Sequence, residues 1–173
     1  MTDELPRSPL AGVTFAAPFV RELPFLAMVD LRAASFPHPL PGPNRVGSVE
    51  GRDVLWLGPD EWLVVGPPGD APAIETLLRQ GIGDGHGSVV DVSANRTTLS
   101  VAGPHARDVL AKGCSIDLHP SVFAPGHCAQ TLLARAQVIL RQVDAEPTYH
   151  VLVRGSFAPY LAEWLADATR EFG

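Results

Sequence analysis

The 173-residue sequence contains a single lysine, Lys112, among thirteen basic residues, and these are outnumbered by nineteen acidic residues. With a formal net charge of -6, the chain lacks the basic stripe with which proteins follow a phosphate backbone. We therefore expect no nucleic-acid partner. Cysteine is also scarce: Cys114 and Cys128 have no CxxC pairing and no neighbouring ligand cluster, which is typical of reduced core thiols.

Long apolar runs are missing as well. No stretch approaches the roughly 20 apolar residues that cross a bilayer, and the first ten residues, MTDELPRSPL, carry acids where a signal peptide needs positive charge. We expect no membrane partner and a cytoplasmic location. Hydrophobic residues still make up 46% of the sequence, which is enough to build one ordinary domain over residues 1–173.

Prolines shape the first fifty residues of this domain. An apolar stretch, LPFLAMVDL, is followed by SFPHPLPGPN, whose four alternating prolines exclude a regular helix. The sequence therefore predicts a strand and then an irregular arm within residues 1–50.

The rest of the chain alternates β-branched runs with turn residues and contains three stretches of helical spacing. Strands are predicted near 53–57, 62–65, 88–92, 97–101, 128–134, 137–142 and 149–153. Helices are predicted near 71–80, 104–112 and 157–169, with Asp70 and Ser156 as N-caps of the first and last. Because strands predominate and short links join neighbours, we predict an α+β fold with a mainly antiparallel sheet and packed helices.

Sequence motifs of enzyme chemistry are missing too. The glycine-rich stretch GIGDGHG follows a predicted helix and precedes a strand, which is the reverse of a dinucleotide-binding loop. The six histidines form no HExxH motif, and no serine lies in a GxSxG elbow. We therefore predict no catalytic, cofactor-binding or metal-binding residue in this chain. One polar stretch, DVSANRTTLSVAG (91–103), fits either an active-site edge or a strand-turn-strand scaffold.

Four segments resemble the gamma subunit of heterotetrameric sarcosine oxidase: LGPDEWLVV (57–65), DVSANRTTLSVAGPHARDVLAKGCSIDLHP (91–120), FAPGHCAQTLLARAQVIL (123–140) and YHVLVRGSFAPYLAEWLADA (149–168). That family in turn resembles the folate-binding region of the glycine-cleavage aminomethyltransferases. The D-x-S and GPDA pattern of the transferases is echoed here by Asp91, Ser93, Gly103, Pro104 and Ala106. The resemblance implies an aminomethyltransferase-like fold.

The resemblance also implies a place in a four-subunit flavoenzyme. Such an enzyme demethylates sarcosine with oxygen and gives glycine, hydrogen peroxide and a one-carbon unit for tetrahydrofolate. Its FAD, FMN, NAD, folate and zinc would belong to partner subunits, so this chain would be the non-catalytic gamma piece beside alpha, beta and delta subunits.

The chain departs from the transferases where their chemistry lies. After the strand that corresponds to CAQTLLA, the transferases carry an aspartate beside the folate, whereas this chain reads LARAQV over residues 133–138. No carboxylate occurs between Asp117 and Asp144, and a folate enzyme needs an acid there to handle a proton. We therefore interpret residues 91–103 as scaffold, with Asp91 and Ser93 tying the turn through side-chain hydrogen bonds.

Two other functions stay open at this point. One is a free-standing folate-dependent transferase or one-carbon binding protein with a displaced acid, such as Asp144 or Glu146. The other is a small-molecule binding domain of unknown ligand. Two arginines are candidates for interface or loop-ordering contacts: Arg96, at the turn, and Arg135, at the position of the transferase acid.

Overall fold

The computed structural model describes residues 7–15 and 19–172. Within them the chain forms ten strands and three α-helices. The strands are β1 (Val20–Leu23), β2 (Ala27–Ala33), β3 (Val46–Val49), β4 (Arg52–Gly58), β5 (Glu61–Gly66), β6 (Gly87–Asp91), β7 (Arg96–Val101), β8 (Cys128–Leu133), β9 (Ala136–Asp144) and β10 (Thr148–Arg154). The helices are α1 (Ala71–Ile82), α2 (Ala106–Ala111) and α3 (Ala158–Ala168).

The strands form two five-stranded sheets in which every pairing is antiparallel. The first sheet has the order β1-β7-β10-β9-β8, and the second has the order β3-β4-β5-β2-β6. Short hairpins join consecutive strands in both sheets, as expected where neighbouring strands run antiparallel. The predicted α+β class with a mainly antiparallel sheet is confirmed.

The sheets pack face to face, and helices cover their outer faces. Alternation along β2 shows why: Met28 joins a cluster with Leu152 and Ile139 of the first sheet, while Val29 and Leu31 point to the opposite face, against α1. The outer face of the first sheet packs in the same way against α2 and α3. The space between the sheets is therefore apolar at its centre, and its two ends carry the polar residues considered below.

The prediction for the first fifty residues was partly wrong. The strand over LPFLAMVDL is present as β2, and the proline-rich segment at 37–43 is irregular, but two further strands were missed. β1 pairs with β7 at the edge of the first sheet, and β3 forms a hairpin with β4 through Glu50 and Gly51, both at positive φ. Four-residue strands such as VGSV have too little periodicity to detect. Residues 1–6 and 16–18 of the predicted arm lie outside the described residues.

All three predicted helices are present, and Asp70 occupies the N-cap position of α1 as predicted, whereas the predicted Ser156 cap of α3 is wrong. Asp70 does precede α1, but its carboxylate binds the Arg52 guanidinium, at 2.6 Å (Oδ2–Nε) and 3.2 Å (Oδ1–Nη2), instead of capping the helix. This bidentate contact lowers the pKa of Asp70. Ser156 lies in a 3₁₀ turn, Gly155–Phe157, and Phe157 is the residue that precedes α3. None of the helices described is both long and apolar enough to span a bilayer.

Side-chain hydrogen bonds hold the turn within the polar stretch at 91–103, as predicted. Asp91 Oδ1 accepts hydrogen bonds from the Ser93 backbone N–H (2.9 Å) and from the Ser93 hydroxyl (2.6 Å). The Ser93 hydroxyl oxygen in turn accepts the backbone N–H of Met28 at 2.9 Å, which attaches this turn to β2. The Asp91 and Ser93 side chains thus accept the backbone N–H groups of Ser93 and Met28, and the second of these hydrogen bonds anchors the turn to the second sheet.

Ser93→Ala is expected to lower the free energy of unfolding by about 1–2 kcal/mol, because it leaves the N–H of the fully buried Met28 without that acceptor. Urea unfolding of the variant gives the value. Ser88→Ala, an exposed serine on the neighbouring strand β6, is the matched control and should stay close to the parent protein. Equal losses in both variants would contradict the anchoring role.

Candidate functional site

Arg96 lies in a cleft at one end of the space between the sheets. We call it the arginine cleft; its volume is about 500 Å³, and it is lined by Arg96, Ser115, Gln130, Thr131, Leu132, Gln137, Val138, Ile139 and Arg154. Arg96 begins β7 and Arg154 ends β10, and the two face each other directly in the strand register. Like charges in such a pair repel. Two arginines therefore share one wall of the cleft.

Carboxylates of the second sheet compensate part of this charge. Asp30 and Glu61 act on Arg96 from the facing sheet, while burial and the neighbouring Arg154 lower the pKa of the Arg96 guanidinium. Glu61 also binds Arg32 at 2.7 Å. Burial, and then the nearby Glu61 carboxylate, raises the pKa of Asp30 to about 6. The end of the sandwich thus holds a mixed charge cluster drawn from both sheets.

Asp30→Asn is expected to stabilise the protein above pH 6 by roughly 2 kcal/mol and to change little near pH 4. The reason is that the folded-state pKa of Asp30, about 6, lies above its ordinary value of 3.8. The contribution of this carboxyl group to stability is therefore fully present below pH 3.8 and is lost as the pH rises through 6.

Urea unfolding of both proteins between about pH 4 and about pH 7 measures this difference. The matched control is Asp84→Asn, at an exposed position in the loop after α1, which should keep the pH dependence of the parent protein. A pH dependence of the Asp30→Asn variant that coincides with that of the parent would contradict the assignment.

The structure separates the two candidate arginines. Arg96 is half-buried at the cleft, whereas Arg135 is exposed on the two-residue turn that joins β8 to β9 and forms no salt bridge with the described residues. Leu132 and Gln137, on either side of that turn, line the cleft. Arg135 therefore stands on a hairpin tip beside the cleft that Arg96 borders.

Asp144 and Glu146, the two carboxylates considered as replacements for the transferase aspartate, lie away from the turn that holds Arg135. Asp144 ends β9, and its carboxylate accepts the backbone N–H of Thr148 at 3.1 Å. The turn that holds Arg135 lies at the other end of the same strand, roughly 26 Å away for nine extended residues. Glu146 is exposed in the loop after β9. Neither carboxylate takes the place of the transferase aspartate.

The cysteines and histidines are dispersed over the described residues. Burial raises the pKa of the Cys128 thiol to about 11, and Cys114 shifts in the same direction for the same reason. Such thiols are poor nucleophiles. No three His, Cys, Asp or Glu side chains converge as a metal site would require, within residues 7–15 and 19–172.

Sequence reasoning missed most of the cleft. Arg154, Asp30 and Glu61 were not singled out, although they surround Arg96. A charged residue inside an apolar run was a usable signal for Asp30, since LAMVDL places one carboxylate among buried neighbours. Nothing in the sequence placed that carboxylate opposite Arg96.

A family model and two similar sequences all carry the name of the sarcosine oxidase gamma subunit. The family model described as "Sarcosine oxidase, gamma subunit family" matches residues 37–171. The chain is 44% identical to the sarcosine oxidase subunit gamma of Corynebacterium sp. (strain P-1) over 73% of its own length and 61% of the relative's length. It is 38% identical to the subunit gamma of Arthrobacter sp. over 93% of its own length and 84% of the relative's.

Two solved structures share the fold. A chain of the heterotetrameric sarcosine oxidase from Corynebacterium sp. U-96, in complex with pyrrole 2-carboxylate, matches with a TM-score of 0.82 and 34% identity, over 96% of each chain. Aminomethyltransferase T of the glycine cleavage system from Bartonella henselae matches with a TM-score of 0.65 and 15% identity, over 84% of this chain and 44% of the transferase. The second likeness shows the fold alone. On these matches, the chain belongs to the sarcosine oxidase gamma subunit family.

Proposed function

We propose that this chain is the gamma subunit of a heterotetrameric sarcosine oxidase and acts by binding neighbouring subunits rather than by chemistry of its own. The observation that carries the proposal is the match, over 96% of this chain, to a chain of such a heterotetramer. The absence of a carboxylate over residues 133–138 supports the non-catalytic role.

The partners in this proposal are the alpha, beta and delta subunits. The assembly would oxidise sarcosine to glycine and hydrogen peroxide and pass a one-carbon unit to tetrahydrofolate in the cytoplasm. FAD, FMN, NAD, folate and zinc would be held by the other subunits.

The arginine cleft is the surface that we assign to a partner subunit. Arg96 and Arg154 lie opposite each other, so their mutual repulsion is relieved when an acidic group enters between them. The Gln130 side-chain amide N–H donates a hydrogen bond to the Leu57 carbonyl at 2.8 Å. Its amide oxygen can therefore accept a hydrogen bond from a backbone N–H of the partner loop. An acidic partner loop suits this cleft, and Arg135 on the adjacent hairpin tip would extend the contact.

The purified chain is expected to be colourless and to hold neither flavin nor stoichiometric zinc. Its GIGDGHG stretch (81–87) does not open a helix, since α1 ends within it at Ile82 and β6 begins at Gly87. An absorption spectrum and elemental analysis of the purified chain measure both properties. A flavin spectrum, or one zinc atom per chain, would contradict the expectation.

Affinity capture tests the proposed assembly. The tagged full chain is co-expressed with the candidate alpha, beta and delta chains, and native mass spectrometry of the captured material gives its composition. We expect one species containing one copy of each chain. Capture of the tagged chain alone, with the three others assembled without it, would overturn the proposal.

A further inference from the structure

An apolar stripe along α3 is covered only in part by the described residues. Leu161 and Leu165 are fully buried against the first sheet, whereas Phe157 and Tyr160 are 44% and 37% exposed. Trp164, one turn after Tyr160, is partly buried at the margin of the same core. Because residues three and four apart lie on one side of a helix, Phe157, Tyr160 and Trp164 follow one another along α3. We call these three residues the aromatic stripe.

The aromatic stripe starts beside the arginine cleft and ends beside the turn between β8 and β9. Phe157 follows three residues after Arg154, which ends β10 and lines the cleft. Gly113 connects Trp164 to the turn: its carbonyl accepts the backbone N–H of Ala134 at 2.8 Å, and a Cβ atom on it would lie 2.6 Å from Trp164 Cζ2. The first two turns of α3 therefore run from the end of β10 to the β8–β9 turn.

The strand register places these features at one end of the first sheet. Val153, next to Arg154 on β10, lies opposite Val138, close to the start of β9 at the β8–β9 turn. Leu132, close to the end of β8 at the same turn, is exposed and lines the arginine cleft. Since the cleft lies between the sheets and α3 packs on the outer face, the cleft and the aromatic stripe lie on the two sides of one sheet end.

Positive charge accompanies the aromatic stripe. Arg135 is exposed on the β8–β9 turn and forms no salt bridge with any residue that the structure describes. Arg96 and Arg154 add two further guanidinium groups at the same sheet end. Protein interfaces are enriched in aromatic and arginine side chains, which also supply most binding hot spots. A partner with apolar side chains and carboxylates complements this surface.

We propose that one partner subunit covers the arginine cleft and the aromatic stripe as a single interface. Its apolar side chains contact Phe157, Tyr160 and Trp164, and a carboxylate beside them binds Arg135. This inference rests on the proposed assembly, and its support is that a chain matching this one over 96% of its length belongs to a heterotetramer. A two-fold pair of copies of this chain is the poorer occupant, since it would bring the arginines of both copies together.

Nitration of tyrosine by tetranitromethane reports directly on the aromatic stripe. Tyr160 is one of two tyrosines, and the other, Tyr149, is fully buried and serves as the internal control. Mass spectrometry after nitration compares the free full chain with its assembly with the alpha, beta and delta chains. We expect Tyr160 to react in the free chain and roughly tenfold more slowly in the assembly, because the core of an interface excludes water and reagent. Equal reaction of Tyr160 in both preparations would overturn this interface and leave the assembly itself standing.

Photocrosslinking identifies the occupant of the surface. The crosslinker p-benzoylphenylalanine replaces Tyr160 in one preparation and Gln137, an exposed residue of the arginine cleft, in another. We expect both positions to crosslink to the same partner chain. Crosslinks to two different chains, to a second copy of this chain, or to no chain would overturn the proposal.

Removal of the exposed rings measures their share of the binding. Phe157→Ser and Tyr160→Ser, combined in one variant, are expected to lower the recovery of partner chains by about tenfold or more, with thermal unfolding recorded alongside. Val143→Ser is the matched control, since Val143 is as exposed as Tyr160 but lies near the other end of β9. Full recovery on a folded double variant would overturn the interface, and nitration of the unaltered chain decides the matter if the variant unfolds. No recovery by the unaltered chain would refute the proposed assembly as well.

Discussion

Reversing both charges of the arginine cleft, with Arg96→Glu and Arg154→Glu in one variant, is expected to lower the recovery of partner subunits at least tenfold. Tenfold corresponds to about 1.4 kcal/mol, and loss of buried charge pairs at interfaces commonly costs more. The new carboxylate at position 96 would stand near Asp30 and Glu61, which already act on that position. The cleft would then repel the acidic partner group that it is proposed to bind.

The measurement is capture of the co-expressed partners on the tagged variant, with thermal unfolding of the variant chain recorded alongside. Arg170→Glu, a reversal at a highly exposed position near the end of the chain, is the matched control and should retain full recovery. Full recovery on a folded Arg96→Glu, Arg154→Glu variant would show that this cleft is not the interface.

Gly113→Val is expected to destabilise the chain by about 3 kcal/mol. A Cβ atom at position 113 would lie 2.6 Å from Trp164 Cζ2 and 3.1 Å from the backbone nitrogen of Ala134. Gly113 follows α2, and these neighbours belong to α3 and to the β8–β9 turn. A larger side chain must push one of these elements away, because the contact includes backbone as well as side chain.

Chemical denaturation gives the change in the free energy of unfolding for this variant. Gly42→Val is the matched control, since a Cβ at position 42 would meet no atom within 4 Å. We expect the control to change stability by less than about 0.5 kcal/mol. Similar midpoints for Gly113→Val and the parent protein would show that the contact between α2 and α3 is looser than the structure indicates.

The sequence predicted local structure better than it predicted the cleft. The periodicity of residues 157–169 and the β-branched run TTLSV were sufficient for α3 and β7, because each depends on neighbours in the chain. The Asp91–Ser93 turn was predictable for the same reason. β3 was missed because four residues with glycine and serine carry no clear alternation.

The polar ends of the sandwich could not be predicted in the same way. Asp30 and Arg96 meet only because the two sheets pack face to face, and 65 residues of the chain separate them. Asp53 and Arg141 also form an ion pair between different sheets, and a still longer stretch of the chain separates them in sequence. Single-sequence patterns report alternation along a strand, whereas these contacts depend on how the two sheets are stacked.

The most direct test of the structural role is to co-express the alpha, beta and delta chains with this chain and then without it, and to measure sarcosine-dependent hydrogen peroxide formation by each preparation. We predict that omission of this chain removes most of the assembled, active enzyme, and that this chain alone transfers no one-carbon unit to tetrahydrofolate. Equal assembly and equal peroxide formation without the chain, or turnover of a methylamine donor with tetrahydrofolate by the chain alone, would contradict it.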